Sequence, residues 1–268
     1  MSDIHKISLL IPDWPAPSHI KALTTLRQGG VSPPPFHSLN LGHHSGDNLE
    51  YVKENRHRLI KEAELPAEPI WLEQIHSNIV LTATPENRFQ TADASYTDKL
   101  NHIAVVLTAD CLPILLCNQT GTRVAAIHAG WQGIAKGIIP ATLTALNVLE
   151  HQSHCTQKAS DEWLAWIGPG ISHTHFEIQE DTYLKLSHSL PQATLAFTPC
   201  SATSWYADLY KLSKEQLIMN GVTKIYGGNF CTYEEKDRFF SYRRDNGTTG
   251  RMATMIWISS SPFTSKPV

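Results

Sequence analysis

Short apolar runs of strand type recur along the chain. They fall at Lys21–Leu26, Ile79–Thr82, Ile103–Leu107, Pro113–Cys117, Arg123–His128, Trp163–Ile167 and Arg251–Ile258. Each is four to eight residues of mostly β-branched or apolar side chains. Helical spacing lies between several of them. Asp47 or Asn48 can cap a helix from Leu49 to Glu64 whose apolar face carries Leu49, Val52, Leu59, Ile60 and Ala63. A second helix is expected after Gly133. A third starts near Asp208 with Leu209, Leu212 and Leu217 facing inward, and a weaker fourth covers Asp181 to Ser189. Strands and helices intermix without strict βαβ alternation, so the pattern predicts an α+β fold, a mixed α/β sandwich. The tail from Ser259 to Val268 reads as frayed.

Length and composition narrow this picture. A chain of 268 residues with 41 % hydrophobic content and no repeat or low-complexity linker fits one sizeable domain across 1–268, its core spanning about 20–258. The net charge of −3 gives no pull toward nucleic acid or anionic membranes. The most apolar stretch, 103–117, contains Asp110 and Pro113 and is too short to span a bilayer. No signal peptide is visible at Met1–Trp14. Five scattered cysteines without a C-x-x-C pair argue against a disulfide framework, so a reducing cytoplasm is the expected compartment. The oligomeric state is not set by the sequence, and a monomer is compatible with it.

Histidine is over-represented, at 14 of 268 residues, which raises the prospect of metal chemistry. Three segments carry more reactive side chains than packing needs: Trp71-Leu-Glu-Gln-Ile-His76, Thr108-Ala-Asp110-Cys111-Leu-Pro, and His128-Ala-Gly130-Trp131. The last two share a plan in which an apolar strand ends in a polar reactive residue and the chain then turns. Two chemistries fit His76, Cys111 and His128. One is a catalytic zinc site with three protein ligands and one open position. The other is a Cys111 thiolate nucleophile activated by His76 or His128. Separations of 35 and 17 residues match no compact zinc-finger spacing, so both stay open. H-x-H occurs once, at His173-Thr-His175, whereas a trinuclear copper centre needs several such pairs.

Basic groups suggest an anionic substrate. Arg56 shares a face with Leu49 and Val52. It either packs its stem and pairs its head structurally, or points into a site and holds an anion. Gly130, Gly133 and Gly137 sit where a strand turns into a helix and could cradle phosphate or merely permit close packing. Arg243, Arg244 and Arg251 fall within nine residues.

Taken together, Thr25-Leu-Arg27-Gln-Gly29-Gly30-Val-Ser, Ser38-Leu-Asn40-Leu-Gly42, Glu54-Asn55-Arg56, the three segments above, Cys231-Thr, and Ser241-Tyr-Arg-Arg with Thr249-Gly-Arg-Met resemble the YfiH-like, laccase-domain family. The resemblance runs in order from about residue 20 to 258. It implies a single mixed α/β domain and zinc, with copper as the alternative metal, held by His76, Cys111 and His128. It also implies phosphorolysis of adenosine, inosine and S-methyl-5′-thioadenosine, deamination of adenosine, and a polyphenol oxidase side activity. A link to cell-wall precursor editing would instead suit a Cys111-dependent amidase. On this reading nucleoside and phosphate are the small-molecule partners. Arg56, Asn40, Gly130 and Arg243 are assigned to substrate and phosphate. Asp110 is either a proton donor to the purine or an acceptor that orients a metal-bound histidine. Two departures stand out: Gln132 replaces the usual Arg after the Trp, and Gln179-Glu180 replaces a glycine-containing stretch.

Overall fold

The computed structural model describes residues 6–152 and 162–260, with side chains omitted for 149–152. The frayed-tail expectation falls almost wholly outside these residues. In chain order the elements are β1 (Leu9–Leu10), β2 (Ile20–Thr25), α1 (Leu49–Glu62), β3 (Val80–Thr82), β4 (Ala94–Thr97), β5 (Ala104–Thr108), β6 (Leu112–Asn118), β7 (Val124–Ala129), α2 (Trp131–Ala135) and α3 (Ile138–Gln152). They continue with β8 (Trp163–Ile167), β9 (Glu177–Gln179), α4 (Glu180–Ser189), β10 (Phe197–Pro199), β11 (Ser204–Ala207), α5 (Leu209–Met219), β12 (Lys224–Gly227) and β13 (Met252–Ile258). No helix among the described residues is long and apolar enough to cross a membrane.

Two large sheets face each other. One runs β1-β2-β13-β5 and the other β12-β8-β6-β7-β4-β3, while β10-β11-β9 form a small third sheet. Side-chain alternation along β6 explains the layering. Leu115 and Cys117 point into the space between the sheets with Val106, Ala126, Trp166 and Ile256. Ile114 and Leu116 point the other way, to a core shared with Ile138 and Leu146 of α3 and Leu212 and Leu217 of α5. The outer face of the four-stranded sheet, through Val105, Ala253 and Met255, is covered by Leu59 of α1 with Leu39, Leu41 and Trp71. The order is therefore helix, sheet, sheet, helix. A strand covered on both faces reads as a continuous apolar run rather than an alternation, which is why β5, β6, β7 and β13 are conspicuous in the sequence.

The expected strands and helices form, with shifted ends. Asn48 is the N-cap of α1, its side chain accepting from the Glu50 amide, and Asp208 caps α5 through the Lys211 amide. The face of α1 differs from expectation: Val52, Asn55 and Leu59 are buried, whereas Leu49 is exposed. Buried Asn55 is the reason. Its Oδ1 accepts from the Val31 amide and its Nδ2 donates to Ser32 Oγ and the Ser38 and Asn40 carbonyls, so the helix turns this polar residue inward. The helix expected after Gly133 is two helices, broken at Gly137, whose φ of 78° is left-handed.

Candidate metal centre and cavity

Strand pairing builds the site. Strands β6 and β7 are antiparallel with Leu112 opposite Ala129 and Pro113 opposite His128. One step further along, Cys111 comes to lie beside Gly130. Strand β4 pairs with the other edge of β7, with Ala94 opposite Ile127. This puts Asp93 next to His128, whose amide donates to the Asp93 carbonyl at 2.7 Å. His76 arrives on the loop before β3.

His76, Cys111 and His128 each offer a ligand atom, and the three atoms lie within 4.8 Å of one another. Cys111 Sγ is 3.7 Å from His76 Nε2, and the two imidazole rings meet edge to face with centroids 4.7 Å apart. Gly130 makes this approach possible, because a Cβ there would come 2.8 Å from Cys111 Sγ and 2.9 Å from His76 Cδ2.

Asp93 organises the group, and the sequence analysis did not single it out. Fully buried, it accepts from His128 Nδ1 at 2.8 Å, from Ser77 Oγ and N at 2.6 Å each, and from the His76 amide at 3.0 Å. These bonds hold His76 at a φ of 57°, in the left-handed region that non-glycine residues seldom occupy. They also leave Nε2 of His128 directed at the thiol side. Burial alone would raise the Asp93 carboxyl, but hydrogen bonds from His128 and Ser77 outweigh it and hold it at about 2. For Cys111 burial likewise opposes ionisation, and the charge and hydrogen bond of His128, with help from His76, pull the thiol below its ordinary value. His128 responds in the opposite sense, since burial lowers it but Cys111 and Asp93 raise it more. The only sequence-level hint of Asp93 is a lone acid between Ala92 and Ala94 ahead of a short strand.

The cluster forms one wall of a cavity of about 480 Å³, also lined by His43, His44, Asp110, Trp131, Phe176, Tyr242, Arg243 and Arg251. A thiol poised to ionise beside two imidazoles fits zinc, and equally the His₂Cys pattern known for copper; three ligands leave one position for substrate. Two arginines share the lining. Arg243 donates Nη1 to the Glu177 carbonyl and lies over the Phe176 ring. Arg251 donates Nη1 to the Thr249 and Gly250 carbonyls.

Several expected roles are corrected. Asp110 does not support a histidine: its carboxylate accepts from Thr232 Oγ1 at 2.6 Å and from the Arg243 amide at 2.7 Å, so it ties the C-terminal segment to the Cys111 turn. Both oxygens are committed to that task. Arg56 lies outside the cavity lining. It stacks on Trp71 at 4.1 Å and gives Nε and Nη2 to the Leu41 carbonyl, the structural alternative of the two considered. Asn40 is fully buried behind the wall, where Oδ1 accepts from the Gly42 and Arg251 amides and Nδ2 donates to Ser45 and Asp47. It positions Arg251 rather than facing substrate. Gly130 likewise serves close packing of the ligands. Gln132 lies outside the cavity as well, in a neighbouring groove with Lys136 and Lys185. The structure also brings in Asp93, Ser77, His43 and His44, to which the sequence assigned no role, and it places Arg251 of the expected basic group in the cavity lining.

The fold and site define a two-sheet α/β sandwich protein with a Cys–His₂ centre in an arginine-lined cavity. Residues 21–259 match the family described as multi-copper polyphenol oxidoreductase laccase, and the chain belongs to that family. Among curated relatives, the purine nucleoside phosphorylase YfiH of Escherichia coli K12 is 43 % identical over 251 residues, covering 93 % of this chain and 98 % of that one. The Pseudomonas aeruginosa purine nucleoside phosphorylase PA4543 is 42 % identical over 250 residues, with the same coverage. The crystal structure of Neisseria meningitidis protein NMB0706 is similar with a TM-score of 0.85 at 42 % identity, covering 94 % of this chain and 99 % of that chain. YlmD from Geobacillus stearothermophilus matches with a TM-score of 0.85 at 31 % identity, over 97 % and 100 % of the two chains.

Proposed function

We propose that this protein is a zinc-dependent purine nucleoside phosphorylase. In this reading it converts adenosine, inosine or S-methyl-5′-thioadenosine and phosphate to free base and sugar 1-phosphate, and it also deaminates adenosine. The observation that carries the reading is the Asp93-braced Cys111–His76–His128 cluster sharing one cavity with Arg243 and Arg251. The names of the relatives point the same way.

Phosphorolysis demands that an oxyanion be held in line with C1′ while the base departs from an oxocarbenium-like centre. Positioning and fixed charge supply most of such catalysis. Arg251 and Arg243 are the cavity's guanidinium groups and are assigned to phosphate. Phe176, Tyr242, Trp131 and the paired His43 and His44 rings provide flat surfaces for base and sugar and exclude water. Asp110 acts indirectly by fixing the Arg243 backbone. Zinc bound by His76, Cys111 and His128 would supply a Lewis acid to the substrate. Asp93 sets the tautomer of His128 by accepting from Nδ1, which leaves Nε2 as the donor atom.

A second reading follows from one further feature. Cys111, His128 and Asp93 stand in the nucleophile, base and orienting-acid relation of a cysteine hydrolase, and the thiol is pulled toward its ionised form. The two readings separate in one experiment. Purified protein is given adenosine with and without phosphate, as isolated, after chelation and after thiol alkylation, with metal content measured alongside. Adenine formed only with phosphate, and lost on chelation, supports the phosphorylase; inosine without phosphate supports deamination. Zinc or copper in the isolated protein identifies the metal. Adenosine untouched in every arm, with amide hydrolysis that survives chelation but not alkylation, overturns the nucleoside reading in favour of the thiolate enzyme.

A further inference from the structure

A second set of soft and borderline donors lies outside the cavity. His175, Cys231 and Glu234 also hold their ligand atoms within 4.8 Å of one another. They come from two segments distant in sequence, the 3₁₀ turn His173–His175 after β8 and the loop that leads toward β13. His175 Nε2 is 2.8 Å from Glu234 Oε1, and its ring stacks on Tyr233 with centroids 4.2 Å apart and planes 14° from parallel. The thiol of Cys231 is buried, within 3.0 Å of Ser172 Oγ, and its backbone amide is held by Glu235 Oε1 at 2.9 Å. The imidazole is thus oriented by stacking and the thiol by packing, while the exposed carboxylate can adjust. A solvated His–Glu pair needs no buried thiol within the same small sphere.

We propose that His175, Cys231 and Glu234 bind a zinc-class divalent cation at a site separate from the Cys111 cluster. One nitrogen, one sulfur and one oxygen donor suit an ion that accepts bonds of about 2.0–2.3 Å from all three types. The pairs present need only small adjustments to reach the corresponding donor spacing. The site has a structural consequence for the cavity. Thr232, the residue after Cys231, holds Asp110 beside Cys111, and the Arg243 side chain donates to the His175 carbonyl. An ion here joins the two segments that carry these contacts and braces the wall on which Arg243 sits.

Cobalt(II) tests this directly, because a cobalt–thiolate pair absorbs in the near ultraviolet. The full chain is stripped with chelator, reloaded with cobalt(II), dialysed and assayed for bound metal and spectrum, with far-ultraviolet circular dichroism as a check on folding. The wild type is expected to retain two equivalents, Cys111→Ala one equivalent with the thiolate band still present, His175→Ala one, and the double variant none. His175 is partly exposed, so its replacement tests the site without emptying the core. A folded Cys111→Ala protein that retains no cobalt, or a His175→Ala protein that retains as much as the wild type, overturns the proposal. If wild type and Cys111→Ala both retain one equivalent while His175→Ala retains none, the second site stands and the cavity cluster is not a metal site.

Discussion

At the scale of single residues, Asp93 decides how the centre behaves. It is buried, fully hydrogen-bonded, and paired with His128. Asp93→Asn keeps the shape but removes the charge that orients and raises the imidazole. Outer ligand partners of this kind are worth about 10–100-fold in metal affinity. A loss of that size is expected in chelator competition at high pH. Uptake also requires loss of the His128 and Cys111 protons, so in the wild type affinity climbs as pH rises beyond the ordinary imidazole value of about 6.5. Without the Asp93 charge His128 releases its proton sooner, so the variant's uptake midpoint should shift to lower pH; an unshifted midpoint would refute the pairing. Stability has its own sign. The Asp93 carboxyl is depressed to about 2, so its contribution is complete above the unfolded value of about 3.9 and disappears as pH falls through 2. Acid unfolding of the variant should accordingly lose part of its dependence on pH below 4. Gly130→Ala probes the same centre sterically. A Cβ 2.8 Å from Cys111 Sγ must displace a ligand, so metal content should fall while the fold persists, because the crowded atoms are side chains.

The elements differ in how plainly their sequences announce them. Helix α5 has an Asp cap and an apolar face, and both form where expected. Helix α1 has its cap but not its expected face, because Asn55 is a polar residue that the fold buries to anchor the Val31–Asn40 loop. Replacing Asn55 with Ala would leave the Val31 amide and the Asn40 carbonyl without this partner, at about 1–3 kcal/mol for each group so orphaned. Urea denaturation should show a loss of at least about 2 kcal/mol. The same measurement on Asn48→Ala, which removes only the cap, should show about 1 kcal/mol. If the two substitutions cost the same, Asn55 is not the anchor described. The small sheet of β9, β10 and β11 was not anticipated, since its strands are three or four residues long with mixed exposure. Such segments carry too little periodicity to be told from loops. They matter nonetheless, since Phe176 and Arg243 of the cavity wall lean on this region.

Across the whole molecule, two facing sheets and their outer helices bring the candidate site together at the ends of β5, β6 and β7. Arg251, at the approach to β13, meets residues from the first half of the chain there. Arg251→Met should raise the phosphate concentration needed for half-maximal phosphorolysis more than it lowers the limiting rate, if phosphate is bound where proposed. An unchanged phosphate dependence would remove Arg251 from that role. The sequence by itself determined most strands and helices of the core, though not β4 or β12, because layers covered on both faces impose apolar runs that a window of the chain displays. It also marked Cys111 and His128, because reactive residues at the ends of such runs have little packing reason to be there, and His76, which stands in a segment richer in reactive side chains than packing needs. Only the tertiary structure decided which groups serve them. Asp93 lies 35 residues from His128 and reaches it through the register of β4 on β7. Arg56, which looked like an anion holder on its helix, is consumed by Trp71 and a carbonyl of a distant loop. Local pattern reports whether a side chain will be buried, but its partner is set by strand register and layer packing, which no short stretch of sequence contains.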